Sequence, residues 1–177
     1  SHANLTLVDL SDCHCNDSIF NYATLDRTNV NGAAFGDVRL NNASIKDVSL
    51  CCVKDRNLGN TSMDYATINN CDLSGTIWEG SAIGATFKDL SFNNVDFAIC
   101  DSLDLSGATF DNVTFSNSDF KGTSFYATDV SGIDFTDCSM NGVNFAHADI
   151  RGADFSGVDL TNVDLSSALM SGTTFTA

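Results

Sequence analysis

Proline is absent from the 177 residues, and of 23 acidic side chains only Glu79 is a glutamate. Glu is a good helix former, whereas the Asp, Asn, Ser and Gly that crowd this chain favour turns, so a helical protein is excluded. Basic residues are scarce: Lys plus Arg is 8, which leaves a formal net charge of −15. Direct binding to nucleic acid or to an anionic membrane surface needs a basic footprint and is not expected. No apolar run approaches the ~20 residues of a membrane-spanning helix. Yet 43% of the residues are hydrophobic, too many for a disordered acidic tail. The length is that of one ordinary domain able to bury a core.

What the chain does have is a period of five. From Leu105 to Phe175 every fifth residue is large and apolar, as in the blocks centred on Phe110, Phe115 and Phe120. The N-terminal stretch keeps the same phase from Leu5 through Leu10, Phe20, Leu25, Phe35 and Leu40 to Leu50. Between them Leu58, Met63, Ile68, Leu73, Trp78 and Ile83 form one run of centres, and Phe87, Phe92 and Phe97 another. All 13 Phe and all three Met fall on centres, and the residue two before a centre is small or apolar except at Arg56.

A period of five fits neither a helix at 3.6 nor a long strand at 2. It fits a chain that turns a corner every five residues, with two side chains inward and three outward. Four corners close one coil, so each centre stacks on the one four blocks later: Phe115, Phe135, Phe155 and Phe175 are predicted to form one buried ladder. Ten of the 13 glycines sit two residues after a centre, where a tight turn needs them.

These blocks resemble the pentapeptide-repeat family and its A(D/N)LXX consensus, to which Ala153-Asp154-Phe155-Ser156-Gly157 and Val158-Asp159-Leu160-Thr161-Asn162 are close. The resemblance spans nearly the whole chain. It implies an all-β fold, a right-handed quadrilateral parallel β-helix of 8 to 9 coils, about 40 Å long at the ~4.8 Å strand spacing. Residues 3–177 are expected to form this single domain, with Ser1 and His2 reading as a leftover of cloning.

The repeat breaks at 51–57, 83–87 and 98–104. Two of these breaks insert three residues each and are expected to protrude from corners, as loops on a rigid scaffold that carries binding residues. Lys54, Asp55, Arg56 and Asp101 are the candidate loop contacts. The bland alternative is a tolerated bulge, and at the Trp78 corner Ile77 competes for the inward slot.

Of seven cysteines, Cys13 and Cys15 flank His14, but in register both point inward while His14 points out, so no metal ligand set is expected. Cys71 and Cys138 occupy the small inward slot as buried apolar residues. Cys51, Cys52 and Cys100 fall in breaks and are the ones free to be exposed. An odd count without signature spacing points to a reducing compartment or to inert thiols; the cytoplasm is the favoured location, with periplasm or thylakoid lumen as alternatives if a targeting segment was removed. Five Asn-X-Ser/Thr sites follow from the Asn/Ser/Thr-rich composition. His2, His14 and His147 are scattered, and neither a phosphate-binding glycine loop nor a nucleophile elbow is present, so neither an enzyme nor a cofactor is expected.

Acid concentrates in the C-terminal half, with net −4 over residues 1–88 and −11 over 89–177. In register Asp129 stacks on Asp149 and Asp134 on Asp154; with Asp119 and Asp159 they make a candidate acidic, partner-binding face. Two functions follow. The first is a non-catalytic interaction scaffold, as the family resemblance implies for its many members without assigned activity. The second, implied by the acidic quinolone-resistance members of that family, is a DNA mimic that occupies the DNA-binding saddle of gyrase or topoisomerase IV. Those relatives dimerise through a C-terminal helical extension that this sequence does not show. The uncovered ladder at Phe175 leaves end-to-end pairing of two copies as an option.

Overall fold

Among the described residues most five-residue blocks fold as a short extended stretch followed by a tight turn. In the first, the Val8 N–H donates to the Leu5 carbonyl at 3.1 Å, and Leu7 between them has φ 59°. A four-residue turn with positive φ at its third residue is type II. The same turn recurs at Cys13→Leu10, Ala33→Val30 and Ile133→Val130, with Gly32 and Gly132 taking the positive φ in the last two. Glycine and asparagine collect in this slot because it is left-handed.

The computed structural model describes residues 2–93 and 103–176, and the strands all pair in parallel. Seven stretches are continuous strands: β1 (Thr24–Asp26), β2 (Ser44–Lys46), β3 (Asn57–Gly59), β4 (Thr67–Asn69), β5 (Ile77–Trp78), β6 (Thr86–Asn93) and β7 (Thr109–Ser116). They form a five-stranded sheet in the order β1-β2-β4-β6-β7 and a two-stranded one, β3-β5. Elsewhere single residues pair between coils. One column runs Asn4, Thr24, Ser44, Thr67, Thr86, Thr109, Asp129, Asp149, Leu169. The fold is an all-β parallel solenoid, and among the described residues there is no α-helix.

Coil length is not uniform. Pairs such as His14↔Ala34 and Asp129↔Asp149 are separated by four regular blocks. Arg39↔Ser62 and Ser44↔Thr67 lie three residues further apart, Ser62↔Ser81 and Thr67↔Thr86 one residue closer, and Ser81↔Asp104 again three further. The first long coil holds its extra residues just after Lys54, whose N–H still reaches the Ala33 carbonyl at 2.8 Å. The chain there makes first a 3-10 turn, Leu50–Cys52, and then a left-handed turn, Lys54–Arg56, instead of a simple protrusion. Val53 between them points into the core with Leu50 and Leu58, while Lys54, Asp55, Arg56 and Asn57 are exposed. Residues 98–102 of the last break, with Cys100 and Asp101, lie outside the described residues.

The short coil corrects the expected register. Ser81 pairs with Ser62, so Ala82, fully buried, takes the inward centre, and Ile83 is only half-buried. The four-residue step therefore runs from Trp78 to Ala82, not from Ile83 to Phe87. Volume explains the exchange: the largest side chain of the core stands next to the smallest centre, so the shortened side still fills. Trp78 is the inward residue at its corner, and its indole Nε1–H donates to the Thr61 carbonyl at 2.7 Å.

Inside the C-terminal half the Phe ladder forms as expected. Phe115 and Phe135 stack at 5.5 Å between centroids and 11°, Phe135 and Phe155 at 5.0 Å and 13°, Phe155 and Phe175 at 5.7 Å and 8°. A second stack, Phe125 on Phe145 at 5.1 Å, meets the first edge-on, with Phe145 and Phe155 at 76°. Both geometries are favourable for aromatic rings. Phe175 departs from the expectation of full burial: as the last rung it has no ring above it and is 45% exposed.

Candidate interaction surface

The aspartates one residue before each centre have a local task. Asp119, Asp129, Asp134, Asp149, Asp154 and Asp159 each accept, through Oδ1, the backbone N–H two residues on, at 2.9–3.1 Å. Each side chain thus closes an Asx turn at the start of its corner. Asn4, Asn29 and Asn144 make the same bond. This explains why the repeat alternates Asp with Asn there and shuns glutamate, whose extra methylene overshoots the bond.

The six carboxylates do not share one side of the coil. Asp129 pairs with Asp149 and Asp134 with Asp154, forming two columns on successive sides, while Asp119 pairs with Ser139 on the side after that. Asp159, a full coil beyond Ser139, belongs to this third side. The first column is partly neutralised. Arg151 Nε donates to both Asp149 carboxylate oxygens, at 2.8 and 3.0 Å, and the hydrogen bonds and charge of this guanidinium hold the Asp149 carboxyl below its ordinary value. The Ser156 hydroxyl and N–H do the same for Asp154, and those of Thr161 for Asp159.

The Lys54–Arg56 turn marks the first three-residue insertion. Asp55 and Arg56 both adopt positive φ, 56° and 53°, and with Lys54 they give three exposed charged side chains in a row. The turn overhangs a shallow depression of about 240 Å³ that Asn16, Asp37, Lys54 and Asp55 help to line. The Arg56 guanidinium lies across Gly75, where a Cβ would meet Nη1 at 2.8 Å.

The cysteines divide as their slots dictate, with one exception. Cys71 and Cys138 are buried, and burial pushes both thiols up to about 11. Cys15 is buried and His14 exposed, but Cys13, expected inward, is exposed, in a coil that pairs on one face only among the described residues. Cys52 is exposed, and Cys51 beside it is half-buried. Their sulfurs lie 3.3 Å apart, a contact that the five-residue period does not encode.

His2, His14 and His147 are each exposed. Among the described residues no cluster of three or more His, Cys, Asp or Glu could hold a metal ion, and no helix is long and apolar enough to cross a membrane.

Comparison with known proteins agrees with this architecture. Residues 3–42 match the family described as pentapeptide repeats (8 copies), and residues 108–177 match the pentapeptide repeat region. No curated protein matches the chain. Among solved structures it is similar to HetL, a pentapeptide repeat protein involved in heterocyst differentiation regulation from the cyanobacterium Nostoc sp. strain PCC 7120. The identity is 18% and the TM-score 0.51, over 98% of this chain and 90% of that one. Full-length QnrB1, a plasmid-mediated fluoroquinolone resistance protein, aligns at 16% identity and TM-score 0.43 over 96% and 92% of the two chains. At these identities the likeness concerns the fold. With both ends of the chain matched, and the turns, columns and Phe ladders that such repeats require, the protein belongs to the pentapeptide-repeat family.

Proposed function

We propose that this protein is a non-catalytic scaffold that binds a protein partner, with the Lys54-Asp55-Arg56 turn as a contact point. The observation that carries the reading is the use of the carboxylates. Each of the six closes its own turn, and they are dealt out over three sides, which favours a repeat-building role for the acid over a convergent site. This turn is different: Lys54, Asp55 and Arg56 are exposed, and none of them closes an Asx turn of the regular scheme. Binding residues concentrate on such loops.

Affinity capture with the immobilised chain from a lysate of its source tests this. A partner is expected to be retained by the native chain and by a variant with Asp129, Asp134, Asp149 and Asp154 changed to Asn. It should be lost from Lys54→Ala/Arg56→Ala. Retention by the loop variant overturns the assignment.

A second reading, DNA mimicry towards a type II topoisomerase, draws on the Asp129/Asp149 and Asp134/Asp154 columns, which lie on successive sides. Exposed charge of one sign steers association and is screened over ~8–10 Å. Under this reading the native chain inhibits supercoiling by purified gyrase, the effect weakens steeply with salt, and the fourfold Asn variant loses it. Unaffected gyrase at micromolar protein and low salt removes this reading.

A further inference from the structure

We propose that Cys51 and Cys52 are a modification site: a vicinal dithiol that a hydroperoxide closes to a disulfide. The sulfurs already lie 3.3 Å apart in the 3-10 turn of the long coil. Cys52 is exposed and meets the oxidant, while Cys51 is half-buried and held against it. No other pair of thiols in the described residues is in contact.

The Cys52 thiolate attacks one peroxide oxygen, the O–O bond breaks, and hydroxide leaves and takes up a proton, which makes a sulfenic acid on Cys52. The Cys51 sulfur then attacks the Cys52 sulfur and loses its proton to solvent. The S–S bond forms as the S–O bond breaks, and water leaves. Two thiols and one hydrogen peroxide become one disulfide and two waters; the sulfurs lose two electrons and the peroxide gains them.

The turn has the freedom that ring closure requires. Adjacent α-carbons lie about 3.8 Å apart, closer than the roughly 4.4–6.8 Å usual for a disulfide, so closure demands a local backbone shift. The bonds that close this turn on itself are long, Cys52 N–H to the Ser49 carbonyl at 3.4 Å and Val53 N–H to Leu50 at 3.3 Å, while the Cys51 N–H ties it to the Asp72 carbonyl at 3.0 Å. Beyond it, Val53 is buried and the Lys54 N–H is fixed to Ala33 at 2.8 Å, so the shift is confined to the turn. It falls on the Cys52 carbonyl, which accepts the Gly32 N–H at 2.7 Å.

Asp72 restrains the reaction. The Cys51 thiol donates to Asp72 Oδ2 at 3.3 Å, and burial together with hydrogen bonds to Cys52 and Asp72 pushes that thiol up to about 12. Asp72 itself is kept in place by the Ser74 N–H at 2.9 Å, a bond that asparagine also makes at this slot. Asp72→Asn therefore keeps the turn and removes the charge that disfavours the Cys51 thiolate.

Trypsin isolates the pair, since the peptide 47–54 contains Cys51 and Cys52 and no other cysteine. The folded chain is treated with hydrogen peroxide, alkylated, digested and weighed. The expected product is this peptide without alkyl groups and two hydrogens lighter, restored to double alkylation by prior reduction. In parallel, amide exchange at Gly32 should accelerate on oxidation, and Asp72→Asn should close the disulfide several-fold faster than the native chain. Recovery of the peptide with two alkyl groups, with sulfinic or sulfonic acid, or linked to another cysteine overturns the proposal. An unchanged rate in Asp72→Asn overturns the restraint assigned to that carboxylate.

Discussion

Gly80 crosses the Thr61 carbonyl so closely that a Cβ on it would overlap the oxygen and lie 2.9 Å from the Asn60 carbonyl carbon. That Thr61 oxygen is the one that accepts the Trp78 indole N–H, so the shortened corner is tied at a single backbone atom. Gly107 is the contrast: it has φ 66°, but a Cβ there meets nothing within 4 Å. Gly107→Ala should cost only the left-handed penalty of about 1–2 kcal/mol. Gly80→Ala should cost about 3 kcal/mol or more, because backbone must move to admit the methyl group. Urea denaturation of the two variants checks the order; equal losses would mean that the corner yields easily.

Phe135 is fully buried between Phe115 and Phe155, and its truncation to Ala is expected to cost about 3–5 kcal/mol. Phe175 stacks with the same geometry on one side only, so Phe175→Ala should cost less than half as much. Thermal melts that rank them otherwise would contradict the ladder.

Thr61, Thr76 and Thr128 each bond a carbonyl three residues back, at 2.5, 2.7 and 2.6 Å. Thr123 occupies the equivalent inward slot, but its hydroxyl is buried without a partner. A buried hydroxyl left unpaired costs about 1–3 kcal/mol. Thr123→Val, of the same shape, is expected to stabilise the protein by about 1 kcal/mol, whereas Thr128→Val is expected to be neutral or harmful. Denaturation midpoints at constant m-value decide.

Asp149 binds its proton less readily in the folded state than its ordinary value of 3.8 because Arg151 holds the ionised form. Stability from this pair is therefore present above that value and lost as pH falls through the lower, folded one. Arg151→Met should melt below the native protein at pH 7, and the gap should close as the solution is acidified into the carboxylate range. A gap that persists at low pH would assign the Arg151 contribution to packing of its stem.

The five-residue period made the columns legible, including the Phe115 to Phe175 stack and the Asp129–Asp149 and Asp134–Asp154 pairs. It did so because a corner every five residues leaves little freedom in which side chain turns inward. It misjudged Ile83, since apolarity alone does not distinguish Ala82 from Ile83 when a corner is one residue short. It also treated six aspartates as one surface, although residues five apart are separated by a corner and only those a coil apart are neighbours. The Cys51–Cys52 contact and the Arg151 fork arise from local turn geometry, to which a period is blind.

The unequal coils also give the molecule a sense of position. In a solenoid whose blocks are interchangeable, a stretch of chain can settle one coil too early or too late with nearly the same contacts, and each such mistake is a trap. A long coil, a short one and a second long one, set in succession between regular coils, remove that degeneracy. A slip of one coil would set Val53 or Trp78 against a partner of the wrong length and expose it. The irregular middle thus works as a bar code, giving each turn of an otherwise monotonous rod its own address.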